Sequence, residues 1–151
     1  TYKVRGYPLD KSIYRVQAMC ESYKDKSKRI ACVAGIGAYN SYLTSTDQLA
    51  AVYVCERFSS PQDKAACYLG EVWVSTEDRK YNLISYCAIL PGTQFQATCF
   101  RTVFFFLDNI NNPSMAQEDE KLCESGNNLC REGFKNRKLD PWEQILKNFD
   151  S

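Results

Sequence analysis

The stretch CERFSSPQDKAAC, Cys55 to Cys67, places one cysteine before a turn and another after it. Ser60 and Pro61 are typical of the cap and the first position of a helix, so the sequence predicts that a second helix begins here. One continuous helix would hold the two cysteines about 18 Å apart, whereas two antiparallel helices bring their Cα atoms to about 5 Å. The stretch therefore predicts a helical hairpin closed by a disulfide bond.

The same spacing recurs along the chain. Three pairs of cysteines are separated by 12 residues and a fourth pair by 7, and the first members of successive pairs are 35, 32 and 36 residues apart. That period is typical of helical-hairpin repeats. A residue without a large side chain stands three positions after each second cysteine: Gly35, Gly70, Thr102 and Gly133. We predict four diverged copies of one hairpin, closed by nearest-neighbour disulfides: Cys20–Cys32, Cys55–Cys67, Cys87–Cys99 and Cys123–Cys130.

Such hairpins bury little apolar surface alone, so copies are expected to stack. The predicted fold is all-α, an alpha-solenoid-like stack of about four disulfide-stapled hairpins. It forms one domain, residues 1–151, with units at about 9–43, 44–76, 77–111 and 112–138. Asp140 and Pro141 are typical of a helix start, and they predict a C-terminal capping helix at about 140–150. The apolar run TVFFFL, Thr102 to Leu107, continues the helical phase of Cys99, which favours helix over strand.

Composition excludes several functional classes. The 19 basic and 18 acidic residues are interspersed and give a net charge of +1, so no basic surface for nucleic acid is predicted. No apolar run approaches the roughly 18 to 20 residues of a membrane span, so no membrane insertion is predicted. The even number of cysteines, without closely spaced pairs, favours disulfides over zinc and predicts a periplasmic or extracellular location. The chain begins at Thr1 without a targeting segment, and we expect one to have been removed.

No catalytic motif is present. The chain has no histidine, which excludes Ser-His-Asp and Cys-His catalysis, and it lacks the glycine-rich phosphate-binding motifs. Pairs of carboxylates drawn from Glu71, Glu77 and Asp78 leave open a small carbohydrate-acting enzyme. However, 18 acidic residues produce such pairs on any small surface. We therefore predict a non-catalytic protein without a metal or cofactor.

Aromatic residues indicate binding. The chain contains ten Tyr and eight Phe, most of which are expected in the core, and core packing is the leading alternative to binding for each of them. Tyrosine and arginine are typical anchors of protein interfaces, and we predict a binding groove on the first helices, lined by Tyr53, Arg57 and Tyr86. The predicted function is a secreted or periplasmic module that binds a protein or peptide. The alternatives are the carboxylate-dependent enzyme and a structural component of an envelope assembly.

The segment ACYLGEVW, Ala66 to Trp73, resembles the second helix of the Sel1-like, cysteine-rich repeat proteins, relatives of the tetratricopeptide class found among secreted bacterial proteins. Cys67 and Gly70 stand on the matching positions. The spacer of eleven residues between the cysteines is longer than in that family, and the family's tyrosine and glycine columns do not recur in the other units. The resemblance implies a solenoid of disulfide-stapled hairpins.

Overall fold

The computed structural model of the chain describes residues 9–73, 79–110, 116–124 and 126–149. Within these ranges the backbone forms ten α-helices and no strand, so the predicted all-α class is confirmed. In chain order the helices are α1 (Leu9–Glu21), α2 (Lys26–Tyr39), α3 (Leu43–Thr46), α4 (Gln48–Glu56), α5 (Pro61–Trp73), α6 (Lys80–Ile89), α7 (Thr93–Ile110), α8 (Ala116–Glu120), α9 (Asn128–Lys135) and α10 (Pro141–Asn148).

All four predicted disulfides are present. The Cα atoms of the bonded cysteines lie 5.4 Å apart in the first three bonds and 5.5 Å apart in the fourth. In the first three hairpins the bond joins the end of one helix to the second turn of the next. The fourth hairpin is shorter, because α8 ends at Glu120 and Cys123 lies in the turn before α9. Four disulfides in one chain of this size place the protein in an oxidising compartment.

The caps between paired helices come from the residues that local turn chemistry favours. Asp25 caps α2 by accepting a hydrogen bond from the backbone N–H of Lys28 at 3.0 Å. The hydroxyl of Ser60 accepts from the backbone N–H of Asp63 at 3.0 Å, and α5 begins at Pro61 as predicted. These bonds satisfy backbone donors that a helix start leaves unpaired, so each hairpin is defined by its own sequence.

The second helices of the four hairpins form one row. Helices α2, α5, α7 and α9 pack side by side in that order, and α1, α4 and α6 each pack against the second helix of their own hairpin. The short helix α3 links the first two hairpins and packs against α4 and α6. One continuous hydrophobic core extends from Cys20 to Phe149. This is the helix order of a solenoid-like stack.

Glycines set the distance between hairpins. A Cβ atom added at Gly70 of α5 would lie 2.7 Å from the carbonyl carbon of Ala34 in α2, and one added at Gly37 would lie 2.9 Å from the carbonyl carbon of Cys67. Both distances are too short for a real side chain, so the two backbones are in direct contact. Gly133 repeats this arrangement in α9, where an added Cβ would lie 2.7 Å from the Cβ of Phe100 in α7. The recurring small residue thus has a packing role in the second and fourth units.

Helix α10 covers the middle of the row. Asp140 caps it by accepting from the backbone N–H of Trp142 at 2.8 Å, and the helix packs across α5 and α7. At its other end, the fully buried amide of Gln62 donates to the backbone carbonyls of Ile145 at 3.2 Å and Phe149 at 3.1 Å. The Ile145 carbonyl belongs to the last turn of α10 and the Phe149 carbonyl directly follows it, so neither has a partner within the helix itself. One side chain of α5 therefore holds the C-terminal segment in place.

Among the described residues, no helix has both the length and the hydropathy that crossing a membrane requires.

We predict opposite effects for two glycine substitutions at equivalent positions of the first two units. Gly70→Ala forces apart the backbones of α2 and α5, and we expect it to lower the free energy of unfolding by about 1 to 3 kcal/mol. Gly35→Ala meets no atom within 4 Å. We expect it to leave stability unchanged or to raise it by up to about 1 kcal/mol, because alanine favours helix.

Urea unfolding of dilute, non-reduced protein, followed by circular dichroism, measures both changes. Equal effects of the two substitutions would contradict the assignment of Gly70 to a backbone contact.

Candidate functional site

Two of the three predicted binding residues come together. The guanidinium carbon of Arg57 lies 5.2 Å from the ring centre of Tyr53 and 4.2 Å from that of Tyr14. Both rings are about half exposed, at 53% for Tyr14 and 47% for Tyr53. These distances are within the range of a cation–π contact, so the charge of Arg57 is held between two aromatic faces. We call these three residues the Tyr–Arg cluster.

The third residue, Tyr86, is wrongly assigned by the sequence prediction. Its side chain is fully buried, and its hydroxyl donates a hydrogen bond to the carboxyl of Glu71. The helical phase explains the error. Tyr53 stands two positions before Cys55, whereas Tyr86 stands one position before Cys87, so the two side chains differ by about 100° around their helices. The true equivalent of Tyr53 is Ser85, which is exposed.

Glu71 is the acidic residue with the most unusual environment. Its side chain is fully buried in α5, where Tyr86 donates to Oε2 and the Cys55 sulfur lies 2.8 Å from Oε1. Burial raises the pKa of the Glu71 carboxyl well above its usual range, and the hydrogen bond from Tyr86 opposes this only in part. A protonated carboxyl fits both neighbours, because its carbonyl oxygen accepts from the phenol while its O–H points to the sulfur. Burial therefore favours the protonated, neutral form of Glu71.

Glu71 cannot reach a substrate as a member of the predicted carboxylate pairs, because its side chain has no exposed surface. The other two acids of that prediction, Glu77 and Asp78, lie outside the described residues. Ligand atoms of Cys55, Cys67 and Glu71 also lie within 4.8 Å of one another, the spacing of a metal site. Both sulfurs are bonded to each other, however, so neither is a thiolate that could bind a metal.

An apolar groove with a volume of about 580 Å³ lies between α2 and α10. Its floor consists of small residues on one face of α2, together with a glycine of α5; they are Ala31, Ala34, Gly35, Ala38 and Gly70. Its walls are aromatic and come from the ends of α5, α7 and α10. They are Trp73, Phe105, Phe106, Pro141 and Trp142, with Asp140 at the margin. We call this feature the Trp groove.

The aromatic walls support one another. The rings of Trp73 and Phe106 meet edge to face with their centres 5.0 Å apart, and Trp73 and Trp142 do so at 6.3 Å. Trp73 is nevertheless 47% exposed, which is unusual for the largest apolar side chain. The only other tryptophan of the chain, Trp142, lines the same groove and contacts Trp73. The groove therefore holds both tryptophans in fixed orientations next to solvent.

The sequence prediction missed the Trp groove, although one signal for it was present. Positions 31, 34, 35 and 38 carry Ala, Ala, Gly and Ala, which places small residues along one face of α2. A face of this kind permits the close approach of another chain, but the pattern alone does not distinguish a neighbouring helix from a ligand. In the structure this face of α2 does both. Ala34 and Ala38 contact Gly70 of the neighbouring helix, whereas a Cβ added at Gly35 would meet no atom within 4 Å.

We predict that Glu71 makes the protein less stable as the pH rises. The unfolded chain releases the Glu71 proton near its ordinary pKa of 4.5, whereas the folded protein retains it. The folded state then binds more protons than the unfolded state above this pH, so the free energy of unfolding falls with increasing pH, by at most about 1.4 kcal/mol per pH unit. Glu71→Gln should remove this slope at pH values above about 4.5.

Thermal unfolding at a series of pH values tests the expectation, with Glu143→Gln as control because that side chain is exposed on α10. Parallel pH profiles for wild type and Glu71→Gln would show that Glu71 is ionised in the fold.

Comparison of the chain with protein-family models, with curated proteins and with solved structures finds no match. The resemblance to Sel1-like proteins therefore stays a prediction from the sequence pattern, and the site has to be interpreted from its own geometry.

Proposed function

We propose that this protein is a non-catalytic, periplasmic or extracellular helical module that binds a protein or peptide partner in the Trp groove. The observation that supports this proposal is the pair of tryptophans, Trp73 and Trp142, beside a groove floor of Ala and Gly. Tryptophan is among the residues most enriched at binding hot spots. The exposed part of such a side chain is removed from water only when a partner covers it, and this burial stabilises the complex. The four disulfides favour the predicted compartment.

The chemistry of the groove favours an apolar peptide segment over a polar small molecule. Small-molecule sites use several convergent polar groups to orient the ligand. Asp140 is the one charged residue at this groove, and its carboxylate already accepts the backbone N–H of Trp142. The groove between α2 and α10 suits an amphipathic helix that lays aliphatic or aromatic side chains on the floor of α2, beside the two tryptophans.

The Tyr–Arg cluster is a weaker candidate for the same function. Its arginine is already in contact with two aromatic rings, so a ligand gains little by replacing one of them. The carbohydrate-acting enzyme is also less favoured. The acid whose pKa is raised, Glu71, is enclosed by the core, whereas a catalytic acid has to touch its substrate.

The two tryptophans make the proposal directly measurable. Because both line the groove and the chain has no others, intrinsic tryptophan fluorescence reports the occupancy of this site alone. We would select peptides from a displayed random library against the wild-type protein and titrate the enriched sequences. We expect saturable fluorescence changes and a preference for apolar residues at helical spacing, i, i+3 and i+4.

Variants separate the groove from the rest of the surface. Trp142→Ala should weaken the selected peptides at least about tenfold, because it removes one wall of the groove. Arg57→Ala is the matched control in the Tyr–Arg cluster and should bind as the wild type does. For these variants, binding is measured with labelled peptide so that the loss of a tryptophan does not affect the signal. Peptides that bind both variants equally, or a selection without enrichment, would overturn the proposal.

A further inference from the structure

A small pocket of about 270 Å³ lies between α6 and the turn that precedes α9. Part of its lining is one face of α6, at positions i, i+3, i+4 and i+7, occupied by Tyr81, Ile84, Ser85 and Ala88. The turn contributes Leu122, Glu124 and Asn127. In the first three hairpins the first cysteine lies within a helix, whereas Cys123 lies in this turn. The pocket, which we call the α6 pocket, is therefore beside the shortened part of the fourth hairpin.

Three polar groups of the α6 pocket have no hydrogen-bond partner within the described part of the chain. They are the hydroxyl of Tyr81, the carboxylate of Glu124 and the amide nitrogen of Asn127. The amide is held in place, because its oxygen accepts from a backbone N–H at the start of α9 at 3.1 Å. The hydroxyl of Ser85, by contrast, is already bonded to Gln48 of α4. The pocket thus offers a ligand two carboxylate acceptors, an amide donor and a phenol.

The charges of the pocket disfavour most classes of ligand. Glu124 is the one charged residue among those that line it in the described chain, and its carboxylate repels an anion. The ring of Tyr81 already has a cation over it, since the Lys80 ammonium lies 5.6 Å from the ring centre, and a second cation would meet a like charge. A purely apolar molecule would remove the carboxylate from water without replacing its hydrogen bonds. A neutral molecule with hydroxyl groups satisfies all three conditions.

We propose that the α6 pocket binds one pyranose ring of a carbohydrate. The hydroxyl groups of a pyranose are both donors and acceptors, so neighbouring ones match the Glu124 carboxylate and the Asn127 amide. The C–H groups on one face of the sugar pack against the ring of Tyr81, which is 69% exposed, while Ile84 and Leu122 form an apolar base. The volume of the pocket is just below the roughly 300 Å³ of the smallest drug-sized sites. It therefore holds a single ring and leaves the remainder of an oligosaccharide in solvent.

The pocket binds the sugar without cleaving it. Glycosidases place two carboxyl groups about 5 to 9.5 Å apart on either side of the scissile bond. Among the described residues that line this pocket, Glu124 is the only acid. The residue composition of the site thus fits recognition and not hydrolysis.

This inference does not depend on the proposed peptide site. Both tryptophans line the Trp groove, so a sugar in the α6 pocket should leave tryptophan fluorescence unchanged. Peptide binding is measured by that fluorescence and sugar binding by NMR. Failure of one proposal therefore leaves a readable result for the other.

Saturation-transfer NMR with the methyl glycosides of glucose, galactose, mannose and N-acetylglucosamine tests the proposal, followed by titration of isotope-labelled protein. We expect at least one glycoside to bind with a dissociation constant in the millimolar range, because a single ring covers little surface. Shifts of backbone signals should centre on Tyr81, Glu124 and Asn127. Tyr81→Ala and Glu124→Ala should each raise the dissociation constant at least about tenfold. Both side chains are exposed, so the variants should fold, and circular dichroism verifies this.

Two matched controls carry the same substitutions elsewhere. Tyr39→Ala removes a tyrosine that is 80% exposed on α2, and Glu143→Ala removes an exposed acid of α10. Both should bind the glycoside as the wild type does. Hexylamine and cyclohexanol serve as a cationic and an apolar probe, and they should bind more weakly than the glycoside.

Three results would overturn the proposal. The first is that none of the four glycosides binds at concentrations on the order of tens of millimolar. The second is binding that Tyr81→Ala and Glu124→Ala leave unchanged. The third is tighter binding of hexylamine or cyclohexanol, which would make the pocket a cation site or an apolar cleft.

Discussion

The direct contact between the backbones of α2 and α5 is the constraint on which the remaining structure depends. Gly37 and Gly70 allow the two helices to approach without side chains between them. The close approach leaves a floor of small residues on one side of the pair, where an ordinary helix pair would present a ridge. It also places Gln62 of α5 where its amide reaches the last turn of α10. The Trp groove exists because these two consequences coincide.

Disulfides and glycines stabilise different levels of the structure. Each disulfide closes one hairpin and limits the conformations of the unfolded chain. Gly70 and Gly133 instead allow one hairpin to pack closely against the next. Glu71 connects the two levels, because its carboxyl contacts the disulfide of its own hairpin and accepts from Tyr86 of the following one. The Glu71 carboxyl is a polar bridge between the two hairpins. An apolar residue of similar size would break it, because the buried phenol of Tyr86 would lose its hydrogen-bond partner.

The hairpins could be predicted from sequence because their determinants are local. Cysteine spacing, Ser60 and Pro61 act within about a dozen residues, and the resulting helices and disulfides agree with the structure. The site could not be predicted in this way. Its walls come from Trp73 and Trp142, which are 69 residues apart in sequence, and they meet because of the way α10 packs across α5 and α7.

Tyr86 illustrates the same limit at the scale of one residue. Tyr86 stands one position before Cys87 whereas Tyr53 stands two before Cys55, and one position adds about 100° around a helix. Alignment on the cysteines pairs Tyr53 with Ser85 and places Tyr86 next to the core. The burial of Tyr86 could therefore be predicted from helical phase. Its hydrogen bond to Glu71, 15 residues away on another helix, could not, because it depends on how the hairpins stack.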